Sequence, residues 1–168
     1  MFGLTDGVYS PVPPHGVPPL ADVFTPEQRS RVMAAITGKN TRPELLVRRR
    51  LHALGYRFRL HRKDLPGRPD VVLPRHGAVV FVHGCFWHGH PRCRKARLPA
   101  TRTDFWRDKI EKNRARDRRD RAALRRLGWR VLTLWECSLG DEERLIDRLR
   151  RFLEGDCGPP VARKRGRL

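Results

Sequence analysis

No stretch of this chain is apolar over the roughly 18 residues that a membrane-spanning helix needs. The N-terminus has neither a basic region nor a continuous apolar one, so it does not read as a secretory signal. No internal repeat is visible. Cysteine is scarce, at Cys85, Cys93, Cys137 and Cys157. Without a secretion signal, thiols point to a metal site rather than a disulfide framework. The expected compartment is the cytoplasm. Acids are also few: 18 against 37 Lys and Arg, for a net charge of +19. Lysine is the scarcer base, since 31 of the 37 are Arg. Codon composition accounts for Arg over Lys, but not for the excess of positive charge. Guanidinium groups fork phosphates and stack on bases, so the balance suits a nucleic acid partner. An anionic membrane fits less well, because no segment joins a wide apolar face to a basic one.

What remains, 168 residues, is one domain with two tails. Residues 1–24 are rich in Pro and Gly and read as a disordered arm. Residues 155–168 read as a short basic tail. Between them, 25–154 carry periodic structure. Thr25-Pro-Glu-Gln28 opens a helix to about Ile36. Thr41-Arg-Pro-Glu44 is a second capping box, and Gly55 ends that helix. Tyr56–Leu60, Val71–Leu73 and Ala78–Val82 read as strands, the last two as an antiparallel pair. Thr103 caps a long helix over Asp104–Leu127, Trp129–Trp135 is a strand, and Asp141–Phe152 is a final helix. This order gives an α/β fold with a central mixed sheet flanked by helices.

The segment from His83 to about Pro99 has no period and is rich in Cys, His and Pro. Cys85, His90 and Cys93 lie close together there, and Cys137 follows the last strand. Thiolates and imidazole at such spacing suit tetrahedral Zn²⁺. Four protein ligands leave no open position, so this zinc is expected to be structural. His83 and His88 are surplus to it, and imidazole is the usual general base near neutral pH. Asp70 precedes the strand Val71–Leu73, where a carboxylate can hold Mg²⁺. By itself, an Asp after Pro69 is more often a turn residue. Glu44 can reach the same place, or serve only its capping box. Phe86 and Trp87 are adjacent in a polar loop and hard to bury together. They, and Trp106 on the long helix, are candidate wedges into a base step, with core packing as the alternative. Arginines crowd that helix, while Asn113 and Asp117 fall on its inward face, where polar groups need partners.

These residues together resemble the very-short-patch-repair (Vsr) mismatch endonucleases, from about Thr25 to Phe152. The matching stretches are Leu65-Pro-Gly-Arg-Pro-Asp70, His83-Gly-Cys-Phe-Trp-His88, Pro99-Ala-Thr-Arg-Thr-Asp-Phe-Trp106, Arg116-Asp-Arg-Arg-Asp120 and Gly128-Trp-Arg-Val-Leu-Thr-Leu-Trp-Glu-Cys137. The resemblance implies a restriction-endonuclease-like fold and Mg²⁺-dependent nicking of one strand beside the thymine of a T·G mismatch. Such mismatches follow deamination of 5-methylcytosine. It implies that Asp70 and the Val82 backbone carbonyl hold Mg²⁺. His88 is implied as general base, His83 as second catalytic histidine and Glu44 as supporting acid. Cys85, His90, Cys93 and Cys137 are implied as zinc ligands. Phe86, Trp87 and Trp106 are implied as wedges at the mismatch, and Asn113 joins them as a DNA-facing candidate. The implied setting is bacterial: a monomer on duplex DNA, working beside a cytosine-5 methyltransferase and general mismatch-repair proteins.

Two departures stand out. The family has His-x-Cys at the second and third zinc ligands, where this chain has the longer His90-Pro-Arg-Cys93. Gly89 also replaces a histidine. The longer spacing makes His88 and His90 rivals for the zinc, and His90 is taken as ligand because His88 matches the base. Two other functions remain: a restriction-type nuclease without mismatch specificity, and a non-catalytic zinc DNA-binding module. Surplus histidines beside a strand-end aspartate argue against the second of these, and the Phe86-Trp87 pair against the first.

Overall fold

The computed structural model describes residues 40–155, and Arg31 apart from them. The expected N-terminal arm, the helix over 25–36 except for Arg31, and the tail from 156 onward with Cys157 lie outside the described residues.

Helix α1 spans Arg42–Ala53 with Thr41 as N-cap. The Thr41 hydroxyl accepts the Glu44 N–H, and Glu44 reaches back to the Asn40 N–H at 3.0 Å, so the capping box forms one residue wider than the usual motif. Leu54 caps the far end and Gly55 takes a left-handed φ of +83°.

Strand β1 (Val71–Leu73) turns through a short 3-10 segment, Pro74–His76, into β2 (Ala78–His83). The two pair antiparallel with Val71 opposite Val80. Strand β3 (Arg130–Trp135) lies parallel on the other side of β2, with His83 opposite Trp135. The sheet is therefore mixed, in the order β1-β2-β3. The long helix α2 (Thr103–Arg126) supplies the crossover to β3, and α3 (Glu142–Glu154) ends the described chain.

Strand parity decides what faces what. Val71, Leu73, Ala78, Val80 and Leu134 face a core built with Val47 and Leu51 of α1 and Leu145, Leu149 and Leu153 of α3. Val72, Val79 and Phe81 face the opposite way, onto Leu65, Leu124 of α2 and Trp129. Both faces are covered, which is why these strands read as continuous apolar runs rather than alternating ones. Parity also carries His83 and Trp135 to the α2 side of the sheet. Among the described residues no helix is long and apolar enough to cross a membrane.

Three local expectations change. Tyr56–Leu60 forms no strand; only Arg59 pairs, as an isolated bridge with Val72. Tyr56 and Phe58 do pack on the core, but Leu60 is 40% exposed and His61 turns left-handed at φ +48°, which ends the pairing. Thr103 does not cap α2. Arg102 holds that place at φ +53°, and the Thr103 hydroxyl donates instead to the carbonyls of Pro99 and Ala100. The helix expected to run to Leu127 ends at Arg126, and Leu127, past its end, is exposed.

Candidate active site and metal cluster

Asp70 sits where β1 begins, and its carboxylate replaces a ladder partner for β2. Its Oδ2 accepts the Val82 N–H at 2.7 Å. The N–H and C=O of one strand residue point to the same side. The Val82 carbonyl therefore also faces the Asp70 edge of β2. Burial pushes the Asp70 carboxyl up to about 6. The Val82 hydrogen bond opposes that rise, the charge of Glu44 adds to it, and Arg48 and His88 pull it back. A buried carboxylate with a second acid beside it suits a divalent cation, which relieves both. Asp70 and the Val82 carbonyl thus fit the hard-cation site, each offering oxygen.

Glu44 is buried and engaged by neighbouring donors. Its carboxylate accepts from the Asn40 N–H, from the Thr41 hydroxyl at 2.9 Å and from Arg48 at 2.7 Å. It caps α1, and its charge acts on Asp70 without a direct bond.

The histidines meet an acid from α2. His88 Nδ1 lies 2.6 Å from Asp117 Oδ2. Burial works to raise the Asp117 pKa, but the His88 hydrogen bond and the His88 and His83 charges outweigh it, and the carboxyl sits below its usual range. An ionised carboxylate only accepts, so His88 Nδ1 carries the proton. In the neutral ring, Nε2 is then left as the basic nitrogen. His83 stacks on His88, with ring centroids 3.7 Å apart and planes 12° from parallel. Burial, then the His88 charge, lowers the His83 pKa to about 3, so that ring is neutral near pH 7.

His83, His88 and Asp117 are close enough to be considered for a metal ion. The stacking argues otherwise. An imidazole binds a metal in its ring plane, and two near-parallel planes this far apart share no such point. What the group does hold is a hydrogen bond between His88 Nδ1 and Asp117.

The four sulfur and nitrogen donors are a different case. Cys85, His90, Cys93 and Cys137 place one donor atom each within 4.8 Å of one another. His90 Nδ1 lies 3.7 Å from Cys85 Sγ and 3.3 Å from Cys137 Sγ. A tetrahedron with zinc–sulfur and zinc–nitrogen bonds has mixed edges of about 3.5 Å, so the set fits. Burial also pushes the Cys85 thiol up to about 12, a cost that a bound cation removes. The structure brings His90, not His88, to the thiols.

The aromatics gather on the same side. Phe86, Trp87 and Trp106 meet edge to face, with centroids 5.2 to 5.9 Å apart. Phe105 joins them at 5.3 Å from Trp106 and is 46% exposed. Lys109 lies over Trp87, Phe105 and Trp106, and Arg102 over Phe105. Asn113 donates to the Trp87 carbonyl at 2.9 Å, pinning the loop to α2. Sequence reasoning left two residues without a role. Asp117 had a signal, an acid on an inward helix face one turn from Asn113. Phe105 had none beyond its place beside Trp106.

Comparison with known proteins agrees with this geometry. The model of the family described as DNA mismatch endonuclease Vsr matches residues 21–95. The type II nicking enzyme V.XorIIP of Xanthomonas oryzae pv. oryzae is 56% identical over 135 residues, covering 80% of this chain and 98% of its own length. The DNA mismatch endonuclease Vsr of Escherichia coli K12 is 46% identical over 141 residues, 83% of this chain and 90% of its own. The type II nicking enzyme V.NmeAIP of Neisseria meningitidis is 43% identical over 134 residues, 80% and 95% respectively. With likeness of that extent, this chain belongs to the Vsr family of DNA endonucleases.

Proposed function

We propose that this chain nicks one DNA strand beside the thymine of a T·G mismatch, using Mg²⁺ at Asp70 and a structural zinc in the cysteine cluster. The observation that carries this is the Asp117–His88 pair standing beside Asp70, with a partly buried aromatic cluster formed by the same loop and α2. Asp117 holds the His88 ring so that Nε2 faces outward as a base. His88 takes a proton from the attacking water. His83, neutral and stacked on His88, sits where it can donate to a phosphate or leaving-group oxygen. A divalent cation held by Asp70 and the Val82 carbonyl would stabilise charge on the scissile phosphate. Glu44, with Arg48 as its partner, sets the charge around Asp70.

Phe86, Trp87 and Trp106 enter the base step at the mismatch, with Lys109 against the backbone. Weak pairing makes a mismatched step easier to open, so a wedge favours it. The exposed arginines of α2 track phosphates. A monomer suffices for one nick, and the setting is the bacterial cytoplasm beside a cytosine-5 methyltransferase and general mismatch repair. The test is nicking of matched T·G and T·A duplexes with Mg²⁺, by wild type, Asp70→Ala and His88→Ala. Nicking confined to T·G and lost in both variants is expected. Full activity of either variant removes that residue's role. Equal cutting of both duplexes makes the protein a restriction-type nuclease.

A further inference from the structure

Trp135 is the last residue of β3 and lies opposite His83, the last of β2. Its ring stacks on His90 at 4.1 Å and 14°. The Trp135 and His83 rings meet edge to face, 5.4 Å apart and at 79°. His90 stands among the thiols, and His83 stacks on His88, which bonds Asp117. An unbroken line of rings thus joins the metal cluster to the proton-holding pair. Cys137 lies two residues beyond Trp135 and adds a covalent tie at the same end. His90 covers one indole face, and the edge-to-face contact bears on the same His83 ring that stacks on His88.

We propose that Trp135 is a positioning residue through which the zinc-held His90 sets the orientation of His83 and His88. The inference rests on the reading of His88 as base, but its first readout does not. Packed rings have few rotamers, and removing the indole leaves His83 free to tilt. A misplacement of about 1 Å at a reacting group costs on the order of a hundredfold in rate.

The test uses zinc-loaded full-length Trp135→Leu and Trp135→Phe. Zinc content is measured first and is expected to remain at the wild-type ratio in both. Imidazole ¹⁵N and ¹³C shifts of His83 and His88 are then compared at one pH, with no DNA or Mg²⁺ present. Trp135→Leu is expected to move both residues' signals, and Trp135→Phe to leave them near wild type. Single-turnover nicking of the T·G duplex is expected to fall roughly a hundredfold in the Leu variant. Duplex affinity is expected to stay within about twofold, and Phe to restore most of the rate. Unchanged imidazole shifts in a zinc-loaded Leu variant overturn the proposal. So does a rate loss matched by an equal loss of duplex affinity. If the wild type does not nick at all, the nickase reading fails while the imidazole shifts still decide the role of Trp135.

Discussion

Asp70→Asn is expected to stabilise the fold while abolishing nicking. Asp70 ionises at about 6 in the folded chain, against an ordinary 3.8. Its folded pKa is raised, so the folded state binds this proton more tightly than the unfolded state. Stability from this group is therefore fully present below 3.8 and is lost as pH rises through about 6. At about 1.4 kcal/mol per pKa unit, the penalty at pH 7.5 is about 3 kcal/mol. The amide carries no charge and still offers an oxygen to the Val82 N–H, so most of that penalty disappears. A gain of about 1–3 kcal/mol corresponds to a Tm rise of roughly 3–9 °C in a domain of this size. At pH 5 the gain is expected to shrink to about half. His83 brings its own acid-side loss, being held neutral by burial, but this is common to both proteins and cancels in the difference. The assay is thermal unfolding of zinc-loaded wild type and Asp70→Asn at pH 7.5 and 5, without Mg²⁺. Added Mg²⁺ is expected to raise the Tm of the wild type alone. An Asn variant less stable than wild type at pH 7.5, or a gain equal at both pH values, refutes the reasoning.

Asp117→Asn is expected to lower single-turnover nicking by about 10²–10⁴-fold, because the amide no longer demands a proton on His88 Nδ1. Duplex affinity by gel shift is expected to hold. Cys85→Ser is expected to lose the bound zinc, seen by metal analysis, and with it several degrees of Tm; stoichiometric zinc in that variant removes Cys85 from the ligand set. Gly89→Ala is expected to cost about 1–3 kcal/mol in urea unfolding. Gly89 takes φ +57°, and an added Cβ would come within 2.6 Å of Ile110 Cγ2 on α2.

Much of this was legible because it is local. A capping box sits within four residues of Thr41, and a three-residue strand followed by Pro74 and Gly77 specifies its own reversal. The gathering of Cys85, His90, Cys93 and Cys137 was legible because Cys and His have few other reasons to crowd one polar loop. Pairings across space were not. Asp117 is 29 positions from His88, and only the packing of α2 on the sheet brings them together. The Glu44–Arg48 ion pair is local but buried, and the sequence shows one turn of helix without showing that it faces Asp70. Tyr56–Leu60 has strand chemistry yet pairs only at Arg59, because a positive φ at His61 turns the chain away.

The loop from His83 to Cys93 folds back on itself and sends its side chains to different partners. His90 N–H bonds the Cys85 carbonyl at 2.9 Å, His88 N–H the Gly84 carbonyl and Gly89 N–H the Phe86 carbonyl. These bonds bring His90 beside Cys85 and leave His88 between them in sequence but turned toward α2. Gly89 makes that possible, since its left-handed φ and missing Cβ let the loop touch Ile110. The extra residue before Cys93 is taken up afterwards, by an exposed turn at Arg92 with φ +57°. The longer spacing therefore need not exchange the two histidines: one turns to the thiols, the other to Asp117, and the glycine between them lets both directions exist in adjacent residues.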